Sequence, residues 1–245
     1  MMSAHPSYKS SPSYTQHLGR NRQYLRDIIL GVNDGLVSMF LLAAGVVGGG
    51  MATRNVLLTG VAGAIAGAIS MAAGEYIATK TQEEVFEGEL ALEKVHIRDF
   101  RQEELHELSD LLGDIGLSGA LRDEVVAHFG EDDGALLKAM TALEFGVVET
   151  ERRSPYRAMF MSGGLFLVGA LPSVLPFAFV SSAPLGLLIA TIGAVLGLLV
   201  VGAVKTWATR GDPIRAALEN LLVATGGGGL AYGVGVLFDR LVGGG

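Results

Sequence analysis

Three groups of residues in this chain have the types and spacing to handle a cation, and the densest runs from Glu89 to Glu107. Successive residues of an α-helix advance by about 100°, so positions three, four and seven apart share a face. On one continuous helix, Glu89, Glu93, His96, Glu103 and Glu107 fall within about 40° of a single line, with Glu104 at its margin. Leu90, Ile97, Leu108 and Leu112 form a separate apolar stripe that can pack and leave the acidic line presented beside it. The plain alternative is a solvated charged face. Two features weigh against it. Like charges one turn apart destabilise a helix unless something cationic neutralises them, and Lys94, Arg98 and Arg101 are few and mostly off that line. His96, in the middle of the carboxylates, is a common ligand for borderline metals.

The second group is Met140 and Glu144, one helical turn apart, with Glu151 seven residues further. A thioether beside carboxylates suits a borderline ion such as Fe²⁺ better than Ca²⁺ or Mg²⁺, which take oxygen alone. Read alone, a methionine at helical spacing fills a core; it gains value as a ligand only if Glu144 faces the acidic stripe.

The third group lies in apolar surroundings, where ionisable side chains are costly and mark function by default. Asp34 sits in Asn33-Asp34-Gly35, Asp27 lies two turns earlier, Met71 and Glu75 share a face at four-residue spacing, and Glu219 and Asn220 interrupt a later apolar run. For Asp27 and Glu75 the competing assignment is a membrane-edge carboxylate paired with Arg or Lys. Asp34 and Met71 offer oxygen and sulfur ligands at membrane depth, while Asp27 and Glu75 can guide ions or exchange protons. Together these four residues outline a transport path for a divalent cation.

The elements that must position these groups follow from composition. Half the residues are hydrophobic, 35 are glycine and none is cysteine, and the mean hydropathy is +0.44. Such a chain is too apolar for an ordinary soluble domain, and without cysteine it has no disulfide, thiolate metal site or thiol nucleophile. A bilayer core about 30 Å thick calls for about 20 apolar residues per helix. Five runs qualify: residues 28–50, 56–79, 158–180, 184–206 and 214–237. Pro172 and Pro176 are expected to kink or shorten the third. The fifth is the weakest, because Glu219, Asn220 and the Gly226 to Gly229 run interrupt it. Lys and Arg resist translocation, and they concentrate before the first run (Lys9, Arg20, Arg22, Arg26) and before the fifth (Lys205, Arg210, Arg215). Both segments are therefore expected on the cytoplasmic side, with the C-terminus outside. An odd helix count excludes a simple internal duplication and makes a two-fold dimer the natural route to a central pathway. GxxxG-like pairs (Gly45/Gly49, Gly60/Ala64, Gly63/Gly67, Gly193/Gly197) support close helix contacts, most simply within one subunit.

Between Lys80 and Arg153 lie 19 of the 25 acidic residues but only 8 of the 18 basic ones, a local net charge of −11 against −7 for the whole chain. So acidic a face argues against nucleic acid as a partner. With no proline from Lys80 to Ser154, the second membrane helix is expected to run on into water, as one helix to about Gly113. A short helix from the N-cap Ser118 to about Gly130 and a third from about Asp132 to Glu151 follow. The expected fold is an all-α membrane protein of five transmembrane helices, with a three-helix cytoplasmic domain inserted between helices 2 and 3. Its segments are a disordered polar tail (1–22) without a cleavable signal, membrane helices 1 and 2 (23–79), the acidic metal-binding domain (80–153) and membrane helices 3 to 5 (154–245).

The stretches Arg26-Asp27-Ile28-Ile29-Leu30-Gly31-Val32-Asn33-Asp34-Gly35-Leu36-Val37 and Ala68-Ile69-Ser70-Met71-Ala72-Ala73-Gly74-Glu75-Tyr76, followed by an acidic insert closing with Met140 to Glu149, resemble the vacuolar iron transporter family. The resemblance covers about residues 24 to 240. It implies a homodimer of five-helix subunits, with the pathway at the subunit interface, that moves Fe²⁺ out of the cytosol in exchange for protons. The destination is a vacuole or the outside of a bacterial cell; the short polar tail and the lack of a plant-like sorting signal favour a bacterial inner membrane. By position Asp34 and Met71 match the family's membrane metal site, Asp27 a carboxylate nearer the entrance, and Met140 and Glu144 its insert ligands. Glu93, His96, Glu104 and Glu107 have the spacing of its other insert ligands, but His96 stands where a Glu is usual. A histidine there shifts preference toward Zn²⁺, Co²⁺ or Fe²⁺ over Mn²⁺. The ion is then substrate, with no prosthetic group and no enzymatic step. A second class of function is a membrane-anchored, ferritin-like iron-binding or iron-oxidising protein. Such di-iron sites need paired Glu-x-x-His motifs; Glu93-Lys94-Val95-His96 is one, and Glu103-Glu104-Leu105-His106 has the same spacing. A membrane scaffold with a merely solvated acidic domain is the third.

Overall fold

The computed structural model describes residues 21–146, 153–209 and 213–242, and among these every regular element is an α-helix. In order they are α1 (Asn21–Gly48), α2 (Thr53–Asp99), α3 (Arg101–Asp114), α4 (Gly119–Gly130), α5 (Asp133–Glu144), α6 (Pro155–Val174), α7 (Pro176–Phe179), α8 (Ala183–Thr209) and α9 (Pro213–Val242). Five of them, α1, α2, α6, α8 and α9, are long and apolar enough to cross a membrane. The chain divides into two compact units, Met1–Met71 with Met161–Gly245, and Ala72–Phe160.

In the first unit α1 is the central element. Leu36 and Phe40 of α1 pack with Ala194 and Leu198 of α8 and Ala224 of α9, while Ala43 and Val47 meet Val56, Phe177 and Ala190. Met39 of α1 completes a third cluster with Ala64 and Ala68 of α2 and Phe166, Ala170 and Val174 of α6. Glycine makes these approaches possible. A Cβ on Gly35 would stand 2.0 Å from the Phe166 carbonyl oxygen, and one on Gly48 would stand 2.3 Å from that of Tyr232. Contacts that close are the way lipid-embedded helices gain dispersion energy, since apolar burial alone offers little there. The fully buried Ser173 hydroxyl donates across helices to the Leu36 carbonyl at 3.0 Å. Large side chains on the opposite faces, such as Leu58, Ile65 and Ile69 of α2 and Leu188, Ile192 and Leu196 of α8, are exposed as lipid contact requires.

The predicted spacings of small residues are thus used inside the chain: Gly63 abuts Leu42, Gly67 abuts Phe166, Gly193 abuts Pro172 and Gly197 abuts Leu36. Pro172 lies within α6, and the helix ends at Val174 before the four-residue α7 opens at Pro176, so the third apolar run is shortened as expected. The Gly226 to Gly229 run does not break α9. Gly227 and Gly228 face Leu41 and Phe40 of α1, where a Cβ would come within 2.8 and 2.6 Å, and this packing holds helical a stretch whose own propensity is poor. Gly35→Val is accordingly expected to abolish monodisperse protein on size-exclusion chromatography, because the obstacle is α6 backbone and cannot rotate away.

In the second unit the expected helix to Gly113 is interrupted. α2 ends at Asp99, Phe100 adopts φ −130° and ψ 39°, and α3 begins at Arg101. Neither glycine nor proline marks the break. Its cause is a core in which Ile97 of α2, Leu108 and Leu112 of α3, and Leu136, Ala139 and Met140 of α5 close on one another. Arg101 ties the start of α3 to the Gly130 carbonyl and the Asp133 carboxylate. The helix from Ser118 is present as α4, although the serine hydroxyl makes no capping bond. α5 is capped by Asp132, whose carboxylate accepts from Gly134 and Ala135 amides at 2.7 and 3.3 Å. It ends at Glu144, short of the expected Glu151, where Gly146 at φ +63° turns the chain out of the helix. Residues 147 to 152, with Glu149 and Glu151, lie outside those described, as does the N-terminal tail to residue 20.

Candidate functional site

The turn at Phe100 builds the most concentrated donor set. On a straight helix Glu93 and Glu104 would be about 16 Å apart along the axis. With the chain turned back, one donor atom each from Glu93, His96 and Glu104 lie within 4.8 Å of one another, and among the described residues no other three His, Asp or Glu side chains converge so closely. His96 Nδ1 stands 3.4 Å from Glu104 Oε1, with the imidazole ring edge-on to Phe100. Glu93 and Glu104 are each only 4% exposed. Glu93 Oε1 and Glu104 Oε2 are buried without a hydrogen-bond partner. Two desolvated carboxylate oxygens left unsatisfied in one cluster are costly. Burial, the Glu104 charge and a hydrogen bond shared with Glu104 push the Glu93 carboxyl up to about 7, with smaller pushes from Glu144 and Glu107. A divalent cation would satisfy both oxygens and relieve the repulsion.

The remaining residues of the predicted stripe are distributed differently from the straight-helix expectation. Glu104, placed at the margin by helical geometry, is at the centre. Glu89, Glu107 and Glu144 are exposed at the rim, and Glu144 is pushed upward by partial burial and then by Glu107, Glu104 and Glu89, so it does face the acidic group. Glu103 turns away with Gln102, His106, Asp110 and Asp114 along an open groove that Glu107 also lines. Met140 is wholly buried between Ile97, Leu108, Leu112 and Leu136, where its thioether fills the core beneath the cluster.

In the first unit, Asp34 is half-buried on α1 and accepts a hydrogen bond from Ser38 Oγ at 2.9 Å, one turn on. The neighbouring Asn33 keeps a buried amide oxygen without a hydrogen-bond partner. Gly35, next in sequence, is where α6 comes closest. Sequence reasoning passed over Ser38 and Asn33, although a hydroxyl four residues after a helical aspartate is a legible signal. Met71 packs against the cluster around Phe166. Asp27 is buried, and Arg26 Nε approaches its carboxylate at 3.8 Å. In the second unit Glu75 lies 3.6 Å from Arg153 Nη1. Both edge carboxylates therefore have arginine neighbours. Glu219 of α9 lies 3.8 Å from Lys205 of α8.

Comparison with known proteins bears on the same residues. The model of the VIT family matches residues 25–236. "Vacuolar iron transporter 2" of Oryza sativa subsp. japonica is 32% identical over 215 residues, covering 86% of each chain. "Vacuolar iron transporter 1" of Tulipa gesneriana is 29% identical over 208 residues, 85% of this chain and 84% of the tulip protein. "Protein CCC1" of Saccharomyces cerevisiae is 30% identical over 230 residues, 89% of this chain and 69% of the yeast protein. Because the family match takes in Asp34, the turn at Phe100 and some part of all five apolar helices, the chain is a membrane protein that belongs to the VIT family.

Proposed function

We propose that the chain is a divalent-metal transporter that carries Fe²⁺, and by similar chemistry Mn²⁺, out of the cytosol in exchange for protons. The observation that carries this is the Glu93, His96 and Glu104 cluster, whose orphaned buried carboxylate oxygens call for a cation. Relatives named as vacuolar iron transporters support iron as the cargo and a compartment beyond the cytosol as its destination. Residues 80–153 serve as a cytoplasmic collecting domain between the second and third membrane helices. The concentration of Lys and Arg before the first and fifth helices favours that orientation. A carboxyl poised near 7 releases a proton when metal binds, which suits exchange. His96 admits Zn²⁺ and Co²⁺ as competing cargo.

In the membrane part, Asp34 is the ion-binding carboxylate, held by Ser38, with Met71 a soft ligand beside the path and Asp27 and Glu75 at its cytoplasmic edge. Met140, Glu144, Glu89, Glu103 and Glu107 surround or support the collecting cluster. Five spanning helices suit a homodimer with a shared pathway, in a bacterial inner membrane. The test is anaerobic Fe²⁺ uptake into proteoliposomes carrying a pH-sensitive dye, with Mn²⁺ in parallel. Metal entry with counterflow of protons is the expected result. Binding without movement of metal overturns transport in favour of an iron-binding or iron-oxidising protein.

A further inference from the structure

Glu75 of α2 and Arg153 form an ion pair at 3.6 Å. Glu75 is 22 residues into α2, about 33 Å from its start at 1.5 Å per residue, just past a hydrocarbon core of about 30 Å. It therefore sits where an ion leaves water for the membrane. Arg153 lies two residues before α6, at the far end of the acidic segment. Their side chains are only 18% and 16% exposed, so the pair is not a surface one screened by solvent. At the next position on α2, the Tyr76 ring meets that of Tyr156 of α6 at a tilt of 52° with centroids 5.4 Å apart, a second contact between the same two segments.

We propose that Arg153 is a specificity-determining residue, a tethered cation that occupies the Glu75 carboxylate until a divalent ion displaces it. This rests on the proposal above that Glu75 belongs to the ion path. A guanidinium cannot leave by losing its proton, so it must be outcompeted and swing aside. A doubly charged ion gains about twice the Coulomb energy of a singly charged one at the same carboxylate. Na⁺ and K⁺, with the same charge as Arg153 and no covalent tether, are at a disadvantage. The arrangement trades affinity at the entrance for exclusion of monovalent ions and for ready onward release of the cargo.

The experiment is Fe²⁺ uptake into proteoliposomes at low and high K⁺ for wild type, Arg153→Gln, Arg153→Lys, Glu75→Gln and the Arg153→Gln/Glu75→Gln double variant. Arg153→Gln is expected to lower the KM for Fe²⁺ at least threefold and to make uptake sensitive to K⁺, whereas wild type is not. Arg153→Lys, which holds a carboxylate without the planar fork, shifts both in the same direction by less, and it keeps the test available if Arg153→Gln does not fold. In the Glu75→Gln background, Arg153→Gln changes neither quantity. An unchanged or raised KM in the folded Arg153 variants, or an equal shift when Glu75 is absent, overturns the proposal and leaves a purely structural pair. If wild type itself takes up no Fe²⁺, the failure lies with the transport assignment beneath it.

Discussion

Asp34→Ala is expected to reduce Fe²⁺ uptake at least a hundredfold while leaving the protein folded and metal binding by the acidic segment intact. The physical case begins with cost. A carboxylate on α1, about 13 Å along the helix from Leu25 where the apolar stretch opens, is in surroundings that penalise charge. α1 is also the helix enclosed by its neighbours, and among the described residues Asp34 has a hydroxyl donor in Ser38 and no cationic side chain at hydrogen-bond distance. An isolated negative charge held there is suited to a passing cation. Alanine removes the charge and little volume, and Gly35, which sets the closest α1 to α6 approach, is untouched. Proteoliposome flux and binding stoichiometry, measured on the same preparation, separate the two effects. Wild-type flux in Asp34→Ala would remove this residue from the pathway.

The second large effect concerns the collecting cluster and its pH dependence. The Glu93 carboxyl is raised from an ordinary 4.5 to about 7, mainly by burial and by Glu104. Its folded form thus favours the proton more than its unfolded form does. The stabilisation this gives is present below about pH 4.5 and is lost as pH rises to about 7, since over that range the folded state binds the extra proton. Glu144, raised by burial and by Glu107, acts in the same sense. In chelator, the thermal midpoint of the wild type should therefore fall between pH 5 and pH 8. Added Fe²⁺ or Mn²⁺ should restore it at pH 8 by binding the ionised cluster. Glu93→Gln, which keeps the shape and removes the titration, is expected to flatten the pH dependence, to be more stable than wild type at pH 8 without metal, and to lose most of the metal-induced rise. A variant that tracks wild type at every pH, with and without metal, would remove Glu93 from the cluster.

Much of this architecture is legible in the amino-acid sequence alone. Apolar run length locates the five long helices, because the bilayer thickness imposes a length that few other constraints mimic, though several of their ends differ by five to seven residues and α2 runs on to Asp99. Charge in an apolar stretch picks out Asp34, and turn chemistry locates α4 and the start of α5 at Ser118 and Asp132. The ends are harder. α5 stops at Glu144, before the residues that carry Glu149 and Glu151, because a left-handed Gly146 is a local event that helical periodicity does not register.

The donor types, their number and their concentration in one acidic segment are written in the chain, since charge and length are properties each residue carries wherever it is placed. Which donors meet is not. Helical geometry on a straight rod ranks Glu103 above Glu104, and the turn at Phe100 reverses them, burying Glu104 beside Glu93 and His96 and leaving Glu103 in an outer groove. No glycine or proline announces that turn. It comes from Ile97, Leu108, Leu112, Leu136 and Met140 closing into one core, and such closure depends on residues more than forty positions apart. The pairing of Glu75 with Arg153, across 78 positions, is of the same kind. Neither partner's neighbours in sequence predict it, because only the folded path of the chain brings the two charges within reach.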